Sequence, residues 1–80
     1  MKKLSSKNAI WLQSEALKMI NYDEDKHILE AKFNNDRIYQ YMQVSKNEWK
    51  DFLAVIYSGA SAGAFINKEI KPFHKCVEIT

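Results

Sequence analysis

Eighty residues (9.4 kDa), 46% of them apolar and only two of them glycine, describe one small folded domain and not a disordered tail. A single cysteine excludes an internal disulfide and fits a reducing compartment, and a formal charge of +2 is too small to announce a nucleic-acid binder by itself. No apolar run reaches the roughly 18–20 residues of a membrane span, and Met1-Lys2-Lys3-Leu4-Ser5-Ser6 has no apolar stretch behind its basic residues, so a soluble, cytoplasmic protein is expected.

A core of this size is marginal. One Cys and two His are a poor inventory for a structural zinc site, which leaves self-association as the expected reinforcement. In chain order, the first feature is an apolar knot, Ile10-Trp11-Leu12, at the end of an N-terminal arm (residues 1–13). It reads as packing against a second copy of the chain. Residues 14–22 suit a half-buried strand ending at Tyr22, and Asp23-Glu24-Asp25-Lys26 is a polar turn. His27 to Phe33 alternates, with Leu29, Ala31 and Phe33 on one face and Glu30 and Lys32 on the other. Asn34-Asn35-Asp36 signals a tight hairpin, because Asn and Asp tolerate the left-handed backbone such turns require. Arg37 to Val44 alternates again, placing Ile38, Gln40, Met42 and Val44 opposite Tyr39 and Tyr41.

The period changes at Ser45. Ser45-Lys46-Asn47-Glu48 matches a capping box, and Trp49, Phe52, Leu53 and Ile56 follow the spacing of an amphipathic helix. Ser58-Gly59-Ala60 breaks it. Ser61 can cap a second helix over about residues 62–71, which Pro72 ends by lacking an N–H. His74 to Thr80 alternates loosely, as a short final strand would. The expected fold is α+β: a three-stranded antiparallel meander followed by two helices, β-β-β-α-α, with the helices on one sheet face. Such a sheet has two open edges and a second face for another copy or a ligand.

Charge is uneven along the chain. Residues 1–22 sum to +3, residues 23–36 to −3 and the remainder to +2, so basic groups sit toward both ends. Mixed solvated surface accounts for this, and one weak basic face is the sharper alternative.

Tyr22-Asp23, Leu29-x-Ala31-x-Phe33, Tyr39-Gln40-Tyr41, Val44, Ser61-Ala62-Gly63-Ala64-Phe65-Ile66-Asn67 and Ile70 together resemble the KTSC family, over roughly residues 14–73. This small domain occurs at the C-terminus of some lysyl-tRNA synthetases and as a free-standing protein in bacteria and phages. The resemblance implies one KTSC-like domain over residues 14–80, and RNA binding through association with a tRNA enzyme. The chain departs from the family pattern at Asn35-Asp36, where Asn-Gly is common, at Lys71, where Arg is common, and at Phe73, where Tyr is common. Lys for Arg at 71 removes a planar fork for a phosphate or carboxylate.

Two features suggest a ligand. Tyr39 and Tyr41, at i and i+2, share a strand face and would form a base-stacking platform if that face were open; the alternative is core or subunit interface. The small residues from Ser58 to Ala64 leave backbone N–H groups open before a helix, with Lys68 and Lys71 able to add charge; the alternative is a tight helix–helix corner. Asn67 reads as a buried hydrogen bond tying loop to sheet, or as a ligand contact. His27 and His74 pair with no nucleophile in sequence, and His74 with Cys76 is a weak candidate pair against a bland exposed His and a buried thiol. The acidic turn lacks the spaced oxygens and glycine of a calcium loop.

The reading is a non-catalytic module binding RNA or a small nucleotide through Arg37, Tyr39, Tyr41, Ser61, Gly63, Asn67, Lys68 and Lys71, without metal or cofactor. The alternatives are a phage-type homo-oligomer that sequesters a nucleotide immune signal, and a protein-interaction module that inhibits a host enzyme.

Overall fold

The computed structural model describes residues 9–13 and 16–79. Expectations about residues 1–8 of the arm, about Ser14-Glu15 as the start of a strand and about Thr80 lie outside them. The sheet has five strands, not three: β1 (Ile10–Trp11), β2 (Leu17–Asp23), β3 (Ile28–Phe33), β4 (Ile38–Tyr41) and β5 (Cys76–Glu78), in that spatial order and antiparallel throughout. Between β4 and β5 run α1 (Lys46–Tyr57) and α2 (Ala62–Phe65), the latter widening into a π-helical turn over Ile66–Ile70. The α+β architecture with an antiparallel sheet and two helices therefore holds, and β5 falls within the short final strand expected over residues 74–80; that strand joins the meander's sheet, and β1, which was not expected as a strand, brings the count to five. β1 is too short to show an alternating period. It belongs to this chain's own sheet, with Ile10 opposite Ile20 and Trp11 opposite Met19.

Local chemistry explains the boundaries. The Asp23 carboxylate accepts from the backbone N–H groups of Asp25 and Lys26 at 3.0 and 3.1 Å, closing the β2–β3 turn, and His27 completes it at φ 55°. In the next hairpin Asp36 takes φ 67°, the left-handed role expected of it. The Ser45–Glu48 capping box forms with both hydrogen bonds at 3.1 Å. At the far end, Lys71 N–H bonds to the Ile66 carbonyl at 2.7 Å, one residue further back than in an α-helix. This widened turn leads directly to Pro72, whose ring an α-helix would press against the carbonyl four residues back.

Two departures from simple alternation decide which side chains reach the core. A register shift between Leu17 and Met19 places an extra residue in β2. Leu17 thereby joins Ile20 and Tyr22 beneath the helices, while Met19 turns to the other face. This is why residues 14–22 show no clean pattern. β4 ends at Tyr41, three residues before the expected Val44, because Gln43 turns left-handed at φ 56°. The break carries Val44 into the same core as Tyr41, opposite to the face the alternation assigned it.

The core lies between the helices and the sheet face that carries Ile20, Tyr22, Leu29, Ala31 and Tyr41. Phe52 sits fully buried at its centre, stacked on Phe65 (centroids 4.9 Å apart) and edge-on to Trp49, which stacks on Tyr22 at 5.1 Å. Such ring pairs add about 0.5–1.5 kcal/mol each beyond area burial. The Tyr22 hydroxyl donates to the Val44 carbonyl, which satisfies its polar end and pins the chain just before α1. On the opposite sheet face Met19, Ile28 and Ile38 are also buried, with Asn21, Glu30 and Gln40 in a row across three strands. The Gln40 amide donates to the Glu30 carboxylate at 2.9 Å. Both faces of the central strands are thus shielded, contrary to the open second face expected of a three-stranded sheet.

Candidate functional site

A groove of about 730 Å³ opens between the β1 end of the chain and the turn joining α1 to α2. One wall is Trp11, Leu12 and Gln13; the other runs from Gly59 to Ala64 and on to Asn67, with Ile56 of α1 between them. The wall of small residues arises because α1 closes at Ser58, Gly59 follows at φ 85°, and Ser61 recaps the chain by accepting from Ala64 N–H at 3.1 Å. Gly63 is buried where the helix crosses the start of β2. A Cβ there would stand 3.1 Å from that of Ala16, so glycine is what permits the close approach. Ser61 and Gly63 thus have structural tasks at the groove edge.

Asn67 is exposed on the groove wall, not buried between loop and sheet, and its amide hydrogen-bonds to no other described side chain. Trp11 is 67% exposed although its backbone is in the sheet. Sequence reasoning placed Trp11 against a second copy and missed it as a wall of this groove. The signal available was an aromatic residue beside a polar Gln13, outside any predicted element.

The other expected contacts lie elsewhere. Tyr39 and Tyr41 do share a face, but it is the face covered by helices. Tyr41 is only 3% exposed and Tyr39 is half-buried, edge-on to Phe33 with centroids 5.5 Å apart. A stacking platform of two open rings is therefore absent, because a domain this small spends its mid-sheet aromatics on the core. Arg37 is exposed at the β4–β5 side, 3.8 Å from the Glu78 carboxylate. Its hydrogen bond to the Tyr39 hydroxyl and the Glu78 charge raise its guanidinium above the ordinary value. Lys68 and Lys71 are exposed on the second helix, and neither lines the groove. The structure thus brings together Ser61, Gly63 and Asn67 but not Arg37, Tyr39, Tyr41, Lys68 or Lys71.

The histidine and cysteine also depart from expectation. His74 is half-buried and both ring nitrogens are engaged: Nδ1 lies 2.8 Å from the Met42 carbonyl and Nε2 lies 2.6 Å from the Glu48 carboxylate. It ties the approach to β5 to the start of α1. Nothing local in sequence announced a contact between residues 26 apart. Cys76 is exposed, not buried, and lies opposite Tyr41 in the ladder. Burial of the thiol nonetheless outweighs its hydrogen bond with Tyr41 and pushes it up, so it stays protonated and weakly nucleophilic. Burial also raises the Tyr41 hydroxyl, which stays neutral.

The comparisons agree with this architecture. The KTSC domain profile matches residues 13–73, more than half of the chain. The protein belongs to the KTSC family. The crystal structure of a KTSC domain protein from Yersinia pestis is similar over 90% of this chain and 96% of its own, with a TM-score of 0.79 and 28% identity. No curated protein sequence matches the chain. The residues that carry the KTSC likeness fall mostly in the core: Tyr22, Leu29, Ala31, Tyr41, Val44, Ile66 and Ile70 are buried. Its positions at the surface include Asn67 on the groove, and the departures Lys71 and Phe73, which are exposed. No helix among the described residues is long and apolar enough to cross a membrane.

Proposed function

We propose that this KTSC chain is a non-catalytic binding module for RNA or a small nucleotide, and that its ligand occupies the groove between Trp11 and Asn67. The supporting observation is the groove itself: about 730 Å³, within the range of small-ligand pockets, with an exposed indole on one wall and the exposed Asn67 amide on the other. Aromatic faces hold bases by stacking, and amides read their hydrogen-bonding edges. The proposal replaces the Tyr-x-Tyr face with Trp11 and keeps Asn67, with Ser61 and Gly63 shaping the wall. Equilibrium binding of labelled single-stranded oligoribonucleotides and of free nucleotides tests it. Binding that Trp11→Ala and Asn67→Ala weaken, with folding retained, is the expected outcome. No binding of either ligand class overturns it.

A second reading rests on Tyr57 and Phe73, which are 78% and 71% exposed and lie outside the groove. Large exposed rings suit contact with another copy, so a homo-oligomer that sequesters a nucleotide is the variant form of the same proposal. Native mass spectrometry of protein as purified from cells would read copy number and any retained nucleotide together. A monomer at all concentrations removes this variant and leaves the first reading in place.

A further inference from the structure

We infer that the His74 bridge is complete only when the imidazole carries a proton on both nitrogens, and that it acts as a pH-sensitive latch holding β5 on the sheet. The chemistry of its two partners carries this. A backbone carbonyl can only accept, so Nδ1, 2.8 Å from the Met42 oxygen, must donate. An ionised carboxylate is likewise an acceptor, so Nε2, 2.6 Å from the Glu48 Oε2, must donate as well. Burial works to raise the Glu48 carboxyl, but hydrogen bonds from the Ser45 backbone and from His74 outweigh it, so Glu48 is ionised at neutral pH. A neutral imidazole has one N–H. Whichever tautomer it takes, one of the two contacts then sets acceptor against acceptor. The His74 side chain is only 9% exposed, which limits how far water can replace the lost bond.

Met42 ties the latch to the strand. Its N–H donates to the Lys75 carbonyl at 2.9 Å while its own carbonyl takes the His74 proton, so one residue grips 74 and 75 just before β5 begins. Glu48, on the other side, belongs to the capped first turn of α1. β5 is three residues long and lies at the sheet edge, with β4 its one partner strand among the described residues. A segment with so few bonds opens before the inner ladder does. Other titratable groups on the adjoining elements are occupied or set apart. Lys46 of α1 lies 3.6 Å from Glu24, the Tyr22 hydroxyl donates to the Val44 carbonyl, and the Cys76 thiol is hydrogen-bonded with Tyr41. Lys71 and Lys75 flank His74 in the chain and are exposed, as is His27 at the β2–β3 turn. The native contacts favour the protonated ring, so the latch holds at lower pH and weakens as the imidazole loses its second proton. At the acid end it is lost when Glu48 takes up a proton.

The test follows 15N-labelled full-length protein from about pH 5 to 9, a span that covers the range in which imidazoles ordinarily change charge. Ring 15N spectra report the protons on His74. Amide hydrogen exchange, corrected for its intrinsic pH dependence, reports the β4–β5 bonds through the Met42 and Ile79 amides, with the β2–β3 ladder as reference. The expected result is a doubly protonated ring at the low end. Protection of Met42 and Ile79 should then fall about threefold or more, in step with loss of the second ring proton, while the reference amides hold steady. His74→Gln should abolish this pH dependence and His27→Gln should leave it intact. Glu48→Gln should flatten it too, because a side-chain amide can donate to a neutral ring nitrogen. A ring that is singly protonated throughout overturns the inference. So does loss of the second proton with no change in protection, or a pH dependence that survives in His74→Gln.

Discussion

Two aromatic sites in this chain carry similar sequence signals and meet different fates. Tyr39 and Tyr41 sit on β4, inside the sheet, on the face that carries the core, where Tyr41 lies opposite Leu29 in the ladder and belongs to the same buried cluster as Phe52. Trp11 sits on β1, a two-residue strand at the sheet edge, and its ring stays open beside a groove. An aromatic residue in an interior strand is claimed by the core of a small domain, whereas one on an edge strand remains available. Position within the sheet, more than residue type, separates a stacking candidate from a core residue here.

The largest test of that contrast compares Tyr41→Ala with Trp11→Ala. Removing a fully packed ring costs about 3–5 kcal/mol, a large share of the stability of any domain this size. An exposed edge residue costs about 0.5 kcal/mol or less. Urea unfolding of the two variants should therefore show Tyr41→Ala largely unfolded or greatly weakened and Trp11→Ala close to the parent. Equal losses would break the comparison.

Gly63 sharpens it from the groove side. Its ideal Cβ would stand 3.1 Å from Ala16 Cβ, so a branched side chain must push the second helix away from β2. Gly63→Val should cost about 1–3 kcal/mol by overpacking and disturb the groove wall at the same time. A variant of parent stability would show that the wall is more compliant than its packing indicates.

The His74 contact yields a smaller effect. Its ring bridges the Met42 carbonyl and the Glu48 carboxylate at 2.8 and 2.6 Å, partly shielded from water. His74→Ala should lower stability by about 1–2 kcal/mol, in the range of hydrogen bonds to a charged group that keeps some solvent contact. Unchanged unfolding in urea would remove the bridge from the account of how β5 is held to α1.

The capping box, the turns, the helix stripe and the inner hairpins were legible because each rests on local chemistry. Ser45 with Glu48, Asp36 at a left-handed position and Trp49–Phe52–Ile56 are all determined within a few residues. The outer strands were harder. β1 has two residues and β5 has three, and both are strands only because β2 and β4 offer them an edge. The extra residue in β2 and the left-handed Gln43 after β4 shifted the faces of Leu17 and Val44, which strict alternation cannot represent. Ser61, Gly63 and Asn67 were found as a run because they are contiguous. Trp11 was not joined to them, since its partners in the groove are about 50 residues away and only folding brings them together.

The smallest effect separates Glu48 from Asp36 in acid. Burial works to raise the Glu48 carboxyl, but hydrogen bonds from the Ser45 backbone and hydroxyl and from His74 outweigh it, and the carboxyl lies below its ordinary value of 4.5. A carboxylate whose folded value is depressed contributes stability above its unfolded pKa. That contribution falls as pH drops from about 4.5 toward the folded value and is gone below both. Asp36 is also lowered, chiefly by its hydrogen bond with Lys18 at 2.7 Å, yet that pair is exposed and screened by salt. Glu48→Gln should therefore flatten the acid limb of the stability profile at moderate salt, while Asp36→Asn leaves it nearly unchanged. The reverse ranking would mean that the surface pair joining Lys18 of β2 to the β3–β4 turn, and not the capped start of α1, carries the acid sensitivity of the fold.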